Sequence, residues 1–147
     1  MGKPLLGQRV TDLVAVVRAL RTHPACRDLR ITLAASGHLS LPTLFAAAVE
    51  PSIAALYLAG GLISFRSVAE TEVYEHPRAN FLSRILRHTD LPQVASSLTP
   101  RRMILAGPVD GQGRAARAEE VRALYSDAPN VEVRPTPDWT EEVLASL

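Results

Sequence analysis

The feature that most constrains this chain is the stretch of residues 31–49, ITLAASGHLSLPTLFAAAV, where an apolar run, a tight turn of small residues and an apolar helix follow without a gap. A short apolar run bounded by a turn reads as a buried strand. The helix after it carries its own start signals. Ser40 is expected to cap orphan amides, and Pro42 falls in the first turn, where its missing N–H costs nothing. A buried strand turning directly into a buried helix puts the turn at the carboxyl edge of an open α/β sheet, where such folds place their chemistry.

The rest of the chain repeats this alternation. Val10, Leu13, Val14, Val17 and Leu20 mark one face of a first helix, which should stop at His23-Pro24 because proline forces its predecessor out of helical geometry. Strands are expected at 29–34, 53–59, 103–106 and 131–133, with the second ending in Gly60-Gly61. Residues 64–90 lose the pattern and read as an irregular crossing with one or two short helices. Further helices are predicted at 90–98, at 115–125 with Ala118, Val121, Leu124 and Tyr125 along one side, and at the end of the chain. That last helix should open on a capping box of Asp138 with Glu141 and turn Trp139, Val143, Leu144 and Leu147 inward. Continuous apolar strands separated by helices imply an α/β fold, a parallel sheet covered on both faces.

With 147 residues and 47% hydrophobic content, the chain should form one domain with a real core. A net charge of +1 gives no electrostatic footprint for nucleic acid or an anionic membrane, so neither is expected as a partner. The longest apolar stretch, 53–63, holds two glycines and is too short to span a bilayer. No leader pattern opens the sequence, and the single cysteine, Cys26, permits no internal disulfide; both fit a cytoplasmic setting.

Several segments in this order and spacing resemble the carboxyl-terminal half of an α/β-hydrolase of the dienelactone hydrolase and acetyl xylan esterase-like branch. They are Leu6-Gly7-Gln8-Arg9-Val10 with Asp12, the elbow with residues 46–51, Ser64-Phe65, residues 86–92, Thr99-Pro100-Arg101 and Pro108-Val109-Asp110. The resemblance implies a single truncated domain over residues 1–147, with about four parallel strands flanked by helices. It also implies a nucleophile elbow of the pattern small-x-nucleophile-x-small. Anchoring on the helix puts Gly37 at the nucleophile position; sliding by one offers Ser36 but sets His38 where a small residue is required. Asp110 matches the triad acid, whereas no histidine occurs at 134–139, where the family's should lie. The half that supplies part of the oxyanion hole is not represented. A serine triad is therefore not expected.

Other chemistry can be assembled at the same edge. His38 sits in the elbow turn, His88 and Asp90 precede a helix that must start at that edge, and Asp110 leaves the third strand there. Two imidazoles and two carboxylates suit a divalent metal, zinc preferred and manganese possible, although their spacing is not a metal motif. Taken as a set, His38, His88, Asp90 and Asp110 are the expected ligands, with His38 and Asp110 also closest to catalysis. The bland alternatives are a solvated His38, Asp90 as a helix cap and Asp110 as a turn residue. A metal-activated water would suit phosphodiesters and other phosphoesters, and carboxylic esters second, since metal supplies the positive charge that a missing oxyanion hole does not. The competing expectation is a non-catalytic hydrolase-like module with a structural or interaction role.

His76, Glu72 and Glu75 in the irregular crossing could lean over the site or be plain surface residues. His23 and Cys26 fall at the opposite edge, as do Arg101 and Arg102, which are read as surface solvation. One partner follows from topology. The strand at 29–34 would be an exposed apolar edge, and a symmetric homodimer is the simplest cover for it or its flanking helices.

Overall fold

Strand–helix alternation in the sequence becomes a four-stranded sheet in the computed structural model, which describes residues 4–147. Helix α1 spans Leu5–Thr22 and stops where Pro24 holds His23 extended. β1 (Ile31–Ser36), α2 (Ser40–Val49) and β2 (Ile53–Ala59) follow. The crossing from β2 carries α3 (Phe65–Ala69) and two 3₁₀ turns, Arg78–Asn80 and Ile85–Arg87, before α4 (Leu91–Ser96). β3 (Arg102–Ala106), α5 (Ala118–Leu124), β4 (Val131–Arg134) and α6 (Glu141–Ala145) complete the chain. All neighbouring strands are parallel, in the order β1-β2-β3-β4.

That order has a consequence for the two faces. Every crossover steps in the same direction, so right-handedness sends α2, α4 and α5 to one side of the sheet. The main core forms there, where Ile53, Leu56, Leu58, Met103 and Leu105 meet Leu6, Val14 and Val17 of α1 and the apolar faces of α2, α4 and α5. The opposite face buries a much smaller set, Ala55, Tyr57, Ala59, Ile104 and Ala106, under Leu147 and Val143. Cover on both faces, as read from the sequence, thus holds for β2 and β3 only; Ala34 and Ser36 on β1 stay exposed. Between the register pairs Ile31↔Ile53 and Thr32↔Ala55 one extra residue, Ala54, interrupts the ladder. This bulge lets both Ile53 and Leu56 point to the main core.

Several local expectations are corrected. Ser40 does not cap α2: a 3₁₀ turn, Gly37–Leu39, runs directly into the helix, so Ser40 already has helical dihedrals (φ −59°, ψ −35°). Its buried hydroxyl has no hydrogen-bond partner among the described residues. What Ser40 provides is smallness, because a Cβ on Gly61 would come within 3.0 Å of its own Cβ. Nor does Asp138 open α6; the residue before that helix is Thr140, and the Asp138 carboxylate accepts the Thr140 amide at 3.0 Å in a turn. Leu147 and Val143 reach the sheet, whereas Trp139 and Leu144 remain 47% and 37% exposed. The helix expected at 115–125 starts only at Ala118, because Val109 pairs with Leu62 and Ala115 in isolated bridges first.

Arg101 and Arg102 prove to be structural rather than solvation residues. The Arg101 guanidinium donates to the carbonyls of Ala47, Glu50 and Ile53 at 2.7, 3.4 and 3.3 Å, satisfying the carboxyl end of α2 and the start of β2 together. Arg102 bridges Glu132 of the neighbouring strand at 2.7 Å.

At the amino edge, the largely buried Glu50 accepts Arg18 Nε at 2.8 Å, the Ser52 hydroxyl at 2.7 Å and the Ser52 amide at 3.2 Å. These bonds, the Arg18 one foremost, pull its pKa from 4.5 down to about 2. A depressed carboxylate pKa stabilises the fold above its ordinary value, and that stabilisation fades as pH falls from about 4.5 toward about 2. Glu50→Gln should therefore flatten this acid limb in a series of thermal melts against pH, and should cost about 1–3 kcal/mol at pH 7. An unchanged acid limb would show that the Glu50 bonds are not formed in solution.

Candidate functional site

Three of the four strands end in the same way. Ser36, Ala59 and Ala106 are each followed by a glycine with positive φ: Gly37 at +56°, Gly60 at +61° and Gly107 at +56°. A left-handed residue turns the chain sharply out of the sheet plane, and only glycine adopts it without steric cost. Gly60 lies directly over Gly37, its Cβ direction 3.8 Å from the Gly37 nitrogen. The carboxyl edge is thereby kept low and open. A cleft of about 280 Å³ sits on it, lined by Gly37, His38, Gly60, Glu75, His76, Pro77, Val109, Asp110 and Gly113.

One wall of this cleft hangs from a fully buried polar side chain, Asn80. Its Oδ1 accepts Arg9 Nη1 at 2.8 Å, reaching across from α1. Its Nδ2 donates to the His38 carbonyl at 2.7 Å and faces His76 Nε2 at 3.3 Å. Arg9 can only donate, so the amide orientation is fixed and both Nδ2 hydrogens point to the histidines. His76 Nε2 then serves as acceptor, which places the ring proton on Nδ1. Burial, followed by the charge of His38, lowers the His76 pKa from its ordinary value, which favours the neutral imidazole. Its ring packs on Phe81 with centroids 5.7 Å apart.

The four residues expected to share a metal are not drawn together in this way. His38 and Asp110 line the same cleft, where His38 is exposed; His88 and Asp90 are not part of its lining. Asp90 caps α4 and simultaneously ties down α3. Its Oδ1 accepts the Leu91 and Phe65 amides, each at 2.7 Å, and its Oδ2 accepts Arg66 N at 3.3 Å. Gln93 returns the bond to the Asp90 amide at 3.1 Å, closing a capping box. Its charge acts, after burial, to push the pKa of the buried Tyr125 hydroxyl up. His88 is exposed, and its amide closes the 3₁₀ turn on Ile85.

Asp110 is engaged as well. Its Oδ1 accepts the Gln112 and Arg114 amides at 2.8 and 3.0 Å, and its Oδ2 pairs with the Arg114 guanidinium at 3.1 Å. Burial pulls its pKa upward, but these bonds outweigh burial and hold the carboxyl below its ordinary value. Among the described residues no three His, Cys, Asp or Glu side chains are grouped so as to hold a metal ion, and of the four expected ligands His38 and Asp110 share a cleft. Glu75 lies at the cleft with its carboxylate over Gly113, where a Cβ would stand 2.6 Å from Oε2. Of the other sequence candidates, Glu72 is exposed, and the His23 ring accepts the Ala25 amide at the far edge, near the free Cys26.

Of the two residues that hold this wall, Arg9 entered the sequence reading only as part of the Leu6-Gly7-Gln8-Arg9-Val10 segment, and no sequence pattern marked Asn80. Their bond joins residues 71 positions apart, and Asn80 reads in sequence as one polar residue in a loop. Periodicity has no means of flagging such a contact.

No protein-family model matches the chain, and no curated protein sequence does. Among solved structures it is similar to a protein of Bacteroides fragilis NCTC 9343 provisionally assigned as an acetyl xylan esterase, at 20% identity and a TM-score of 0.57. The match takes in 88% of this chain and 36% of that one, so the chain spans about a third of the length of the protein it resembles. At this identity the likeness is one of fold: the parallel sheet with its helices is shared.

Two measurements check the Asn80 wall. In proton NMR titrations His38→Ala should raise the His76 pKa toward 6.5, since the neighbouring charge that lowers it is gone. Asn80→Ala should cost about 1–3 kcal/mol, because it removes the partner of the half-buried Arg9 guanidinium and of the His38 carbonyl. A His76 pKa unmoved by His38→Ala would disprove the electrostatic contact between the two rings.

Proposed function

We propose that this chain is a non-catalytic unit with an α/β-hydrolase-like fold, serving a structural or interaction role. The observation that carries this reading is the commitment of its acids. Asp90 holds three backbone amides and Asp110 holds two amides and an ion pair, while the elbow position that needs a nucleophile is Gly37. Freeing either carboxylate for chemistry would leave amides unsatisfied, at a cost of about 1–3 kcal/mol each. Carboxylates whose lone pairs are spent on amides and a guanidinium are poorly placed for proton transfer, and Asp110 is in addition held below its ordinary pKa rather than raised toward 7.

A second reading is kept open by one specific observation: two imidazoles, His38 and His76, share the cleft with Asp110. In that reading the unit is a hydrolase acting on phosphodiesters, other phosphoesters or carboxylic esters. The exposed His38 removes a proton from water, and His76, with its proton on Nδ1, offers a neutral hydrogen-bond donor. No step is assigned to a metal.

Turnover of chromogenic acetate esters, phosphodiesters and phosphomonoesters separates the two readings, run with and without added zinc or manganese beside the His38→Ala variant. The expected result is release no faster than that of His38→Ala under every condition. Turnover that disappears in His38→Ala and resists chelator would overturn the first reading and establish the second; chelator-sensitive turnover would overturn both.

A further inference from the structure

The sheet has two edges, and they differ. β4 is four residues long and carries Glu132 and Arg134, with Glu132 clamped between Arg102 and Arg134 at 2.7 Å each. Charged, short edges of this kind resist added strands. β1 is six residues long, ITLAAS, with no charge, no proline and one free side for backbone pairing. A trough of about 570 Å³ runs along it. On one side stand α1 and the start of α2, presenting Asp12, Val16 and Leu39; on the other stands Trp139, and Ala34 and Ser36 form the floor. Val16, Leu39 and Trp139 are 57%, 47% and 47% exposed. An apolar channel flanking a free strand edge is what an added β-strand fills, with hydrogen bonds from the backbone and contacts from the walls.

We infer that the strand filling this trough is β1 of a second copy, placed antiparallel about a two-fold axis. The two four-stranded sheets then join into one continuous sheet. Charge at the rim favours this occupant. Arg9 and Asp12 lie on the same side of α1 and both line the trough. Among the described residues, Arg9 spends Nη1 on Asn80 and makes no ion pair, and Asp12 forms none either. A two-fold axis brings Arg9 of each copy to Asp12 of the other, so a single complementary pair is made twice. The blunted β4 edge prevents head-to-tail growth, which makes the assembly close as a dimer rather than extend as a filament.

Light scattering after size exclusion, across a dilution series, tests this directly. The wild-type chain should run at twice its 15.9 kDa monomer mass. Asp12→Arg sets like charges opposite each other at both rims and should raise the dimer dissociation constant roughly 100-fold. Val16→Glu, an exposed wall position, should do the same, with circular dichroism unchanged in both variants. Hydrogen exchange provides the second readout: within residues 32–36, the alternate amides that face away from β2 should be protected in concentrated protein and lose that protection on dilution. A monomer at tens of micromolar would overturn the inference. So would a dimer that persists in both variants, since it must use another face, or β1 amides whose exchange does not depend on concentration.

Discussion

The handedness of the β–α–β crossover governs most of this molecule. Three crossovers step in one direction along the sheet, so the connecting helices accumulate on one face. With α1 added, that face builds nearly the whole apolar core, from Leu6 to Val133. The other face is left with the last dozen residues of the chain as its cover. The same ordering leaves β1 at an edge, although its composition is that of an interior strand. Both the open trough and the thin second face follow from this one geometric rule.

A second dependence runs through the irregular crossing between β2 and α4. It has little regular structure, so its position rests on a few polar anchors. Asn80 ties it to α1 and to the elbow, Asp90 ties its end back to α3, and the Tyr125 hydroxyl donates to the Ile63 carbonyl at 3.0 Å at its start. Buried polar groups in such a network are costly unless all are satisfied, and here they are. The candidate cleft therefore owes its shape to residues that do not touch its opening.

The fold was largely legible because periodicity and punctuation carry it. The strand at 53–59 matches β2 residue for residue, and the proline at 24 marks the end of α1. Expectations failed where a contact distant in sequence decided the outcome. Ser40 looks like a cap by its type, but the 3₁₀ turn before it and the approach of Gly61 make it a spacer. Trp139 reads as inward by its size, yet it packs edge-on against Tyr57 and stays 47% exposed. Of the four supposed ligands, His38 and Asp110 reach one cleft, because the ends of neighbouring strands are brought together by topology. Asp90 was legible as a helix cap, but its amide partners 24 and 25 residues away were not. His76 owes its place beside them to Asn80, which sequence gave no reason to single out.

The latch between Tyr57 and the chain's last segment has an optical consequence. The Tyr57 hydroxyl donates to the Asp138 carbonyl and accepts the Asp138 amide, both at 2.7 Å, so one side chain replaces a pair of backbone partners. That clamp sets the neighbouring indole of Trp139, the single tryptophan of the sequence, edge-on to the phenol ring at 4.9 Å. Half exposed, against a tyrosine donor and on the wall of the trough, this indole is an intrinsic chromophore whose emission colour and energy transfer depend on both the clamp and the water beside it. The molecule thus carries its own label, at the position where the thin face of the sheet meets its free edge.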